Sequence, residues 1–542
     1  MPTRFNEETY AWVLSSRGAS LMETKTQEEL LRSDVERFLA ANNFIGALDT
    51  LDQLHDLDLL FENDWCLVGQ LLNKISEFAQ AIGAFERCLS IDPSHVTARH
   101  DLGLSLYNLG DIDRAAILIE QVAMETGLEH FWRGLATIAP GVPCYSQQRV
   151  RQIRERYARI VRERESPISS MSNAASVKHQ GRIRIGYLSA HWNGANYMKP
   201  VWPLINAHDC EQFEFYLFDD STNGGGNWDW LTSKGFTRIA VHSLTNSELA
   251  VRIRSLGIDI LVDLSAYSKP QRLGLFVHRS AKVQMAWFNM YATSGFSEID
   301  FIVGDRFVFL SKEKPFYCER FLELPVSYLT FQSNHTAPGV SESPFETREQ
   351  FTFGCLCSLY KITPQVVQTW ATILKEACDS RLLLANGDLR PLCNQKFIAA
   401  RFEELGVASD RIMFLPPAGH FEFLKYYNEV DVALDTFPYN GGTTTMEAIW
   451  QGVPVLTFSG DRWASRTSQT ILKNAGLSDF VTNSRKSYVC LAVALATDRS
   501  RQASLSALRK TLRTQVTSSP IYDSVALARS MENIFSRIYA GF

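Results

Sequence analysis

From residue 183 to residue 458, short apolar runs alternate with helix-length amphipathic segments, and this alternation restricts the chain more than any other feature. Runs at 183–189, 213–218, 239–241, 258–264, 283–288 and 301–303 read as strands, with a helix at 247–256. A second series runs through 351–357, 380–384, 411–414, 432–435 and 454–458, separated by helices at 364–377, 393–405, 421–429 and 444–451. Thr363-Pro364 marks one helix start, because proline lacks only the N–H that a first helical residue would leave unpaired. Strands joined through helices pair in parallel, since each crossover needs a long connection. The expectation is an α/β fold of two doubly wound parallel sheets in succession, at 181–340 and 341–542. Their facing strand ends leave a cleft, where open parallel sheets bind ligands.

At 542 residues the chain exceeds one core, and its first quarter has a different texture. Trp65, Gly69, Ala81, Phe85, Cys88 and Pro93 form a unit that recurs after 34 residues as Leu102, Gly103, Ala115, Ile119 and Val122. A weaker copy stands 34 residues earlier at Ala47, Leu51 and Leu54. Small residues recur where helices cross closely and large apolar ones where the crossing is filled, the pattern of tetratricopeptide repeats. An α-helical arm of about three such units is expected over 1–139, with a generic helical hairpin stack as the plainer alternative. A concave face for a protein or peptide, or support for the sheets, would be its role. Residues 140–180 read as a linker: a proline-containing loop, a charged helix and a Ser-rich stretch ending near Ala175. The basic run Arg149 to Arg164 is interleaved with Glu155 and Glu163, as on a solvated helix face.

Net charge is -5, so no basic field points to nucleic acid. The ten cysteines are scattered without metal-binding spacing, and Cys355 and Cys357 read as strand residues facing one side. Residues 1–10 are polar, and no apolar run approaches the ~18 residues of a membrane helix. A soluble, cytoplasmic protein without a metal, membrane or nucleic-acid partner is expected.

The segment 435–452 carries the chemistry. A strand ends at Asp435, and Pro438, Gly441 and Gly442 form a loop that lets the backbone approach a ligand. Thr443, Thr444 and Thr445 open the next helix. A helix start offers unpaired N–H groups and a positive dipole end, which suit a diphosphate. Glu447 lies one turn further, where a carboxylate can accept hydrogen bonds from both hydroxyls of a ribose. A plain helix cap accounts for the glycines but not for Glu447 and the Gly452-Val453-Pro454 strand entry.

With these residues in view, the chain resembles the O-linked N-acetylglucosamine transferase family. That family joins tetratricopeptide repeats to two facing Rossmann-like domains, the GT-B arrangement. The resemblance runs from about Ile183 to the end. It rests on Leu359-Tyr360-Lys361-Ile362-Thr363-Pro364, on Gly441-Gly442-Thr443-Thr444-Thr445-Met446-Glu447 and on Ala464-Ser465-Arg466. It implies that Lys361 contacts the donor diphosphate and offsets charge on the leaving nucleotide. It likewise implies that Thr443 and Thr444 hold phosphate and Glu447 the ribose. Ala418 would lie in the base-binding loop, His420 beside the uracil, and Arg466 near the donor. The plainer readings are an exposed Lys361, a surface His420 and a structural pair at Arg466.

The acceptor side departs further from the family. Ala195 stands where a histidine is common, with His191 nearby, and the stretch 289–295 has lost a proline and a glycine. Tyr267 replaces a histidine of many bacterial relatives, and Ser358, Phe423 and Tyr426 replace polar or basic residues. The implied activity is inverting, metal-independent and cofactor-free. N-acetylglucosamine from UDP-GlcNAc would pass to Ser or Thr of a protein or peptide acceptor held by the arm. His191 and Asp263 are candidate bases, against a simple loop residue and a strand-end structural carboxylate. The alternatives are another donor such as GDP-fucose or another UDP-hexose, a glycan or small-molecule acceptor, and a catalytically weak nucleotide-sugar-binding interaction module. Lys361 argues against the last, which has less need of a leaving-group cation. The tail 521–539 has helical periodicity and is expected to pack back across both domains.

Overall fold

The computed structural model describes residues 21–165, 181–192, 197–222, 228–333, 335–348 and 350–541, with residues 21–26 as backbone alone. Ala195 and the Ser-rich stretch 166–175 lie outside the described residues. Helical hairpins open the fold: Leu21–Ala40 with Phe44–Asp56, Glu62–Lys74 with Phe78–Ile91, and Val96–Asn108 with Ile112–Thr126. The small positions of the repeat lie at the crossings. A Cβ on Gly69 would stand 2.5 Å from the Phe85 ring, and one on Gly103 2.7 Å from Ile119. Ala47, Leu51, Leu54, Phe85, Cys88 and Ile119 are buried between the helices.

Two further helices, Glu129–Ile138 and Gln147–Glu165, carry the stack onto the sheets. The second departs from the solvated face its sequence suggests. Val150, Ile153, Tyr157 and Val161 form a buried stripe, and Arg154 is buried with them. The helical period of these residues is masked in sequence by the arginines between them.

The first sheet contains β1 (Ile183–Ser189), β2 (Phe213–Asp219), β3 (Phe236–Ala240), β4 (Ile260–Asp263), β5 (Val283–Ala286), β6 (Phe301–Asp305) and β7 (Arg320–Leu324). The second contains β8 (Thr352–Cys355), β9 (Arg381–Ala385), β10 (Ile412–Leu415), β11 (Val432–Leu434), β12 (Val455–Phe458) and β13 (Val481–Thr482). Their orders are β3-β2-β1-β4-β5-β6-β7 and β10-β9-β8-β11-β12-β13. Every pairing is parallel. Both orders reverse at β1/β4 and β8/β11, and such switch points open a crevice at the strand ends. Strands β4, β5, β6 and β8 are buried throughout, as parallel strands covered on both faces are.

The arm rests on the second sheet unit. Leu102, Leu106 and Leu109 share a core with Leu359 and Ile362. The Asn394 side-chain amide donates to Ser76 O at 2.8 Å, and its Oδ1 accepts from Ala79 N at 3.0 Å. Gly110 has φ +80, and a Cβ there would lie 2.3 Å from Ile362 O, so only glycine lets the arm settle on this loop. The closing helix Ser524–Ala540 returns to the first unit, where Glu532 accepts from His208 Nδ1 and Asp209 N, each at 2.9 Å.

Candidate active site

Asp435, just past β11, organises the loop that follows. Its Oδ1 accepts from Thr436 N at 3.0 Å and Gly441 N at 2.8 Å, and its Oδ2 from Thr457 Oγ1 at 2.7 Å. The loop then doubles back so closely that a Cβ on Gly441 would stand 2.6 Å from Thr445 Oγ1 and 2.8 Å from Thr444 Oγ1. Gly442 caps the helix Thr443–Trp450, whose first turn faces the cleft. Thr444 Oγ1 lies 3.2 Å from Cys357 Sγ, and Thr445 Oγ1 lies 2.8 Å from Ser468 Oγ. The hydrogen bond with Cys355, then Lys361 and Thr444, hold the Cys357 thiol below its ordinary value against burial.

Lys361 ends a short 3-10 turn before the helix Pro364–Glu376, whose N-cap Thr363 accepts from Val366 N. Its Nζ donates to Asn440 O at 2.8 Å and lies 4.3 Å over the Tyr439 ring. The ammonium is thereby fixed beside the Gly441 loop. Burial disfavours its charge, but Tyr360, Cys357, Tyr291 and Asp435 outweigh burial and raise its pKa.

Glu447 is buried, and its Oε1 accepts from His420 Nε2 at 2.8 Å and from Lys199 Nζ at 2.5 Å. Burial pushes its carboxyl up, but His420 and Lys199 more than compensate and hold it below the ordinary carboxylate value. Lys199 belongs to the first sheet unit and has no exposed surface. His335 packs edge-on to His420 with ring centres 4.5 Å apart. Burial, with Lys199 and His420 nearby, takes His335 down to about 4. Ala418 is exposed in the loop leading to His420.

Two expected site residues are engaged elsewhere. Arg466 was expected near the donor, but its guanidinium forms a fully buried pair with both oxygens of Glu313 and donates to Val308 O at 2.8 Å. It ties the second unit to the first, while its buried Nε has no hydrogen-bond partner among the described residues. Asp263, a candidate base, caps the turn after β4: its oxygens accept from Ser265 N at 3.0 Å and Ala266 N at 3.1 Å. Burial pushes its carboxyl up to about 6. His191, the other candidate, lies on the loop after β1. Its Nε2 lies 2.8 Å from Ser268 Oγ and its ring 4.2 Å from the Tyr197 ring. Burial, then Lys269, lowers its pKa, which favours the neutral imidazole a base requires.

Sequence reasoning missed Lys199, Asp435 and Cys357. Asp435 had a local signal, since a carboxylate at a strand end before a glycine loop is placed to hold that loop. Lys199 had none, for it meets Glu447 only when the two sheet units face each other.

A family model for glycosyl transferase family 41 matches residues 143–343 and 346–531. The probable UDP-N-acetylglucosamine–peptide N-acetylglucosaminyltransferase SPINDLY of Hordeum vulgare is 32% identical over 316 residues, 57% of this chain and 33% of that protein. The protein of the same description from Solanum lycopersicum is 30% identical over 355 residues, 65% of this chain and 36% of its own. The chain thus spans about a third of the length of these curated relatives. The structure of a mutant O-GlcNAc transferase from Thermobaculum terrenum aligns with a TM-score of 0.81 at 26% identity, covering 97% of this chain and 98% of that one. Since the family match extends over both sheets and the helix that leads into them, the chain belongs to glycosyl transferase family 41 and has the GT-B fold.

Proposed function

We propose that the protein transfers N-acetylglucosamine from UDP-GlcNAc to a Ser or Thr hydroxyl of a polypeptide, with inversion and without a metal. The observation that carries this reading is that Lys361 Nζ is held 2.8 Å from Asn440 O, on the loop that runs into the helix start at Thr443. The activity named for the plant relatives supports the donor and the acceptor class. Thr443, Thr444 and the N–H groups of that first turn receive the diphosphate, and Glu447 with His420 receives the ribose. Ala418 lies beside the base.

The acceptor oxygen attacks the anomeric carbon as the bond from that carbon to the diphosphate oxygen breaks. The electron pair of the broken bond stays on the diphosphate, where Lys361 and the helix dipole stabilise it. The acceptor proton passes to His191. The arm brings the acceptor to the cleft. The cytoplasm, a reducing compartment, suits ten free cysteines.

Calorimetric titration with UDP-GlcNAc and GDP-fucose, with released nucleotide followed in parallel, tests the reading. UDP-GlcNAc is expected to bind and turn over, and Lys361→Ala to slow release by about 10²–10³-fold, the size of losing one charge-stabilising donor. Binding of GDP-fucose in its place would replace the donor. Full release by Lys361→Ala would remove the mechanism.

A further inference from the structure

A groove of about 550 Å³ lies where the loop after β7 meets the last two helices, Arg499–Thr517 and Ser524–Ala540, and it shares no lining residue with the donor site. Thr330 Oγ1 and Phe331 N both donate to Ile521 O, each at 2.9 Å, and so hold this loop against the turn Pro520–Tyr522 between the helices. The hydroxyl protons on the walls are engaged by the helices themselves. Thr517 Oγ1 donates to Thr514 O at 2.8 Å, Ser519 Oγ to Val516 O at 2.6 Å and Ser530 Oγ to Ala526 O at 2.8 Å, which leaves each oxygen as an acceptor. The carbonyls of Thr517 and Ser518 close the helix Arg499–Thr517, and neither takes a backbone hydrogen bond among the described residues. Such carbonyls also carry the negative end of the helix dipole. Asp523 adds a carboxylate: its Oδ1 accepts from Ala526 N at 2.9 Å, and its Oδ2 has no partner among the described residues.

We propose that this groove binds a small aliphatic diamine, with one ammonium at Asp523 and the other at the helix end formed by Thr517 and Ser518. Among the described residues no lysine, arginine or histidine lines it, so a cation meets acceptors without a competing positive charge. An anion would instead face Asp523 and the negative end of the helix. A neutral sugar needs donors as well as acceptors, and the wall hydroxyls with an unengaged proton among the described residues are those of Ser327, whose Oγ accepts from Leu329 N at 3.1 Å, and Tyr522. Leu329, Leu527 and Pro520 supply apolar wall for a methylene stem, which packs on such surface as the stems of long basic side chains do. The volume is that of a small-molecule site.

The test is calorimetric titration of cadaverine into the full chain at low salt and near neutral pH. Saturable binding of one diamine per chain is expected. The diacetylated diamine should bind at least about tenfold more weakly, because acetylation removes both charges. Asp523→Asn keeps the helix cap, since Asn caps as well as Asp, and should weaken binding about fivefold, the most that one solvent-facing ion pair supplies. Ala526→Lys, on the exposed first turn of the same helix, puts an ammonium in the groove and should abolish binding. Asp479→Asn, at an exposed carboxylate outside the groove, should leave the affinity unchanged. No saturable binding, equal binding of the diacetylated compound, or full binding by Ala526→Lys would overturn the site. Equal losses in Asp523→Asn and Asp479→Asn would reduce it to general attraction by surface acids and overturn it too. Binding of a lysine-containing peptide but not of cadaverine would overturn the small ligand.

Discussion

Replacing Lys199 by methionine probes the donor site where both sheet units meet it. The buried Nζ lies 2.5 Å from Glu447 Oε1, and His420 Nε2 lies 2.8 Å from the same oxygen. Removing one partner of a buried pair costs about 3–5 kcal/mol, because the remaining charge is kept from water. His420 still faces Glu447, so the lower end, about 3 kcal/mol, applies. Glu447 is the proposed ribose ligand, and a carboxylate that loses its buried partner relieves the cost by turning away or taking a proton, so UDP binding should weaken by up to the same ~3 kcal/mol, about two decades at 1.4 kcal/mol per decade. Glu447→Gln in the same protein removes the orphaned charge. The double variant should then bind UDP at least about tenfold more tightly than the product of the two single losses predicts. Titration of UDP into the wild type, both single variants and the double variant reads both quantities. The pH dependence has a fixed sign. The folded pKa of Glu447 is depressed, so its contribution is present above the ordinary carboxylate value and is lost as pH falls through the folded value. Without Lys199 that loss should begin at a higher pH. A loss of UDP affinity below threefold, or additive losses in the double variant, refutes the link between this pair and the donor.

Two further outcomes follow from the buried charges. Arg466→Met should lower the first urea midpoint by the equivalent of about 3–5 kcal/mol by leaving Glu313 unpaired, and Glu313→Met in the same protein should restore most of it; an unrescued double variant would show that the pair does more than neutralise itself. Asp263 is pushed up to about 6 from 3.8 by burial, so it weakens the fold as pH rises between those values, by about 3 kcal/mol at 1.36 kcal/mol per unit. Asp263→Asn should gain on the wild type by about 2 kcal/mol of that amount between pH 4 and pH 6, and a constant difference would contradict the assignment.

Most of the fold was legible because its signals are local. Parallel strands buried on both faces show as apolar runs, so β1, β2, β4, β8 and β9 sit where their sequences place them, to within a residue or two. The edge strand Arg320–Leu324 was not, because it alternates exposed and buried residues and reads as a loop. The two-residue strand Val481–Thr482 is too short for any period to register. The tail helix Ser524–Ala540 was legible, and the two helices before it, Arg485–Thr497 and Arg499–Thr517, were not assigned.

The same distinction divides the site. The loop from Asp435 to Glu447 is one turn and the start of one helix, so the anion site proposed for it is read from residue order alone. The charges that complete it come from far along the chain: Lys199 lies 248 positions before Glu447, and Glu313 lies 153 before Arg466. Each of these pairs joins one sheet unit to the other. A pair of this kind does two things at once, since the contact that neutralises a donor-site carboxylate also holds the units together. Arg466 illustrates the consequence. Its neighbours in sequence belong to the donor segment, yet its guanidinium serves the interface, and nothing local separates the two roles. Glu447 is the reverse case, a residue whose proposed role is local and whose charge is set in part by the other unit. On the proposed donor site, nucleotide binding and the relation between the units are coupled through one carboxylate, and a nucleotide that recruits Glu447 must share it with Lys199.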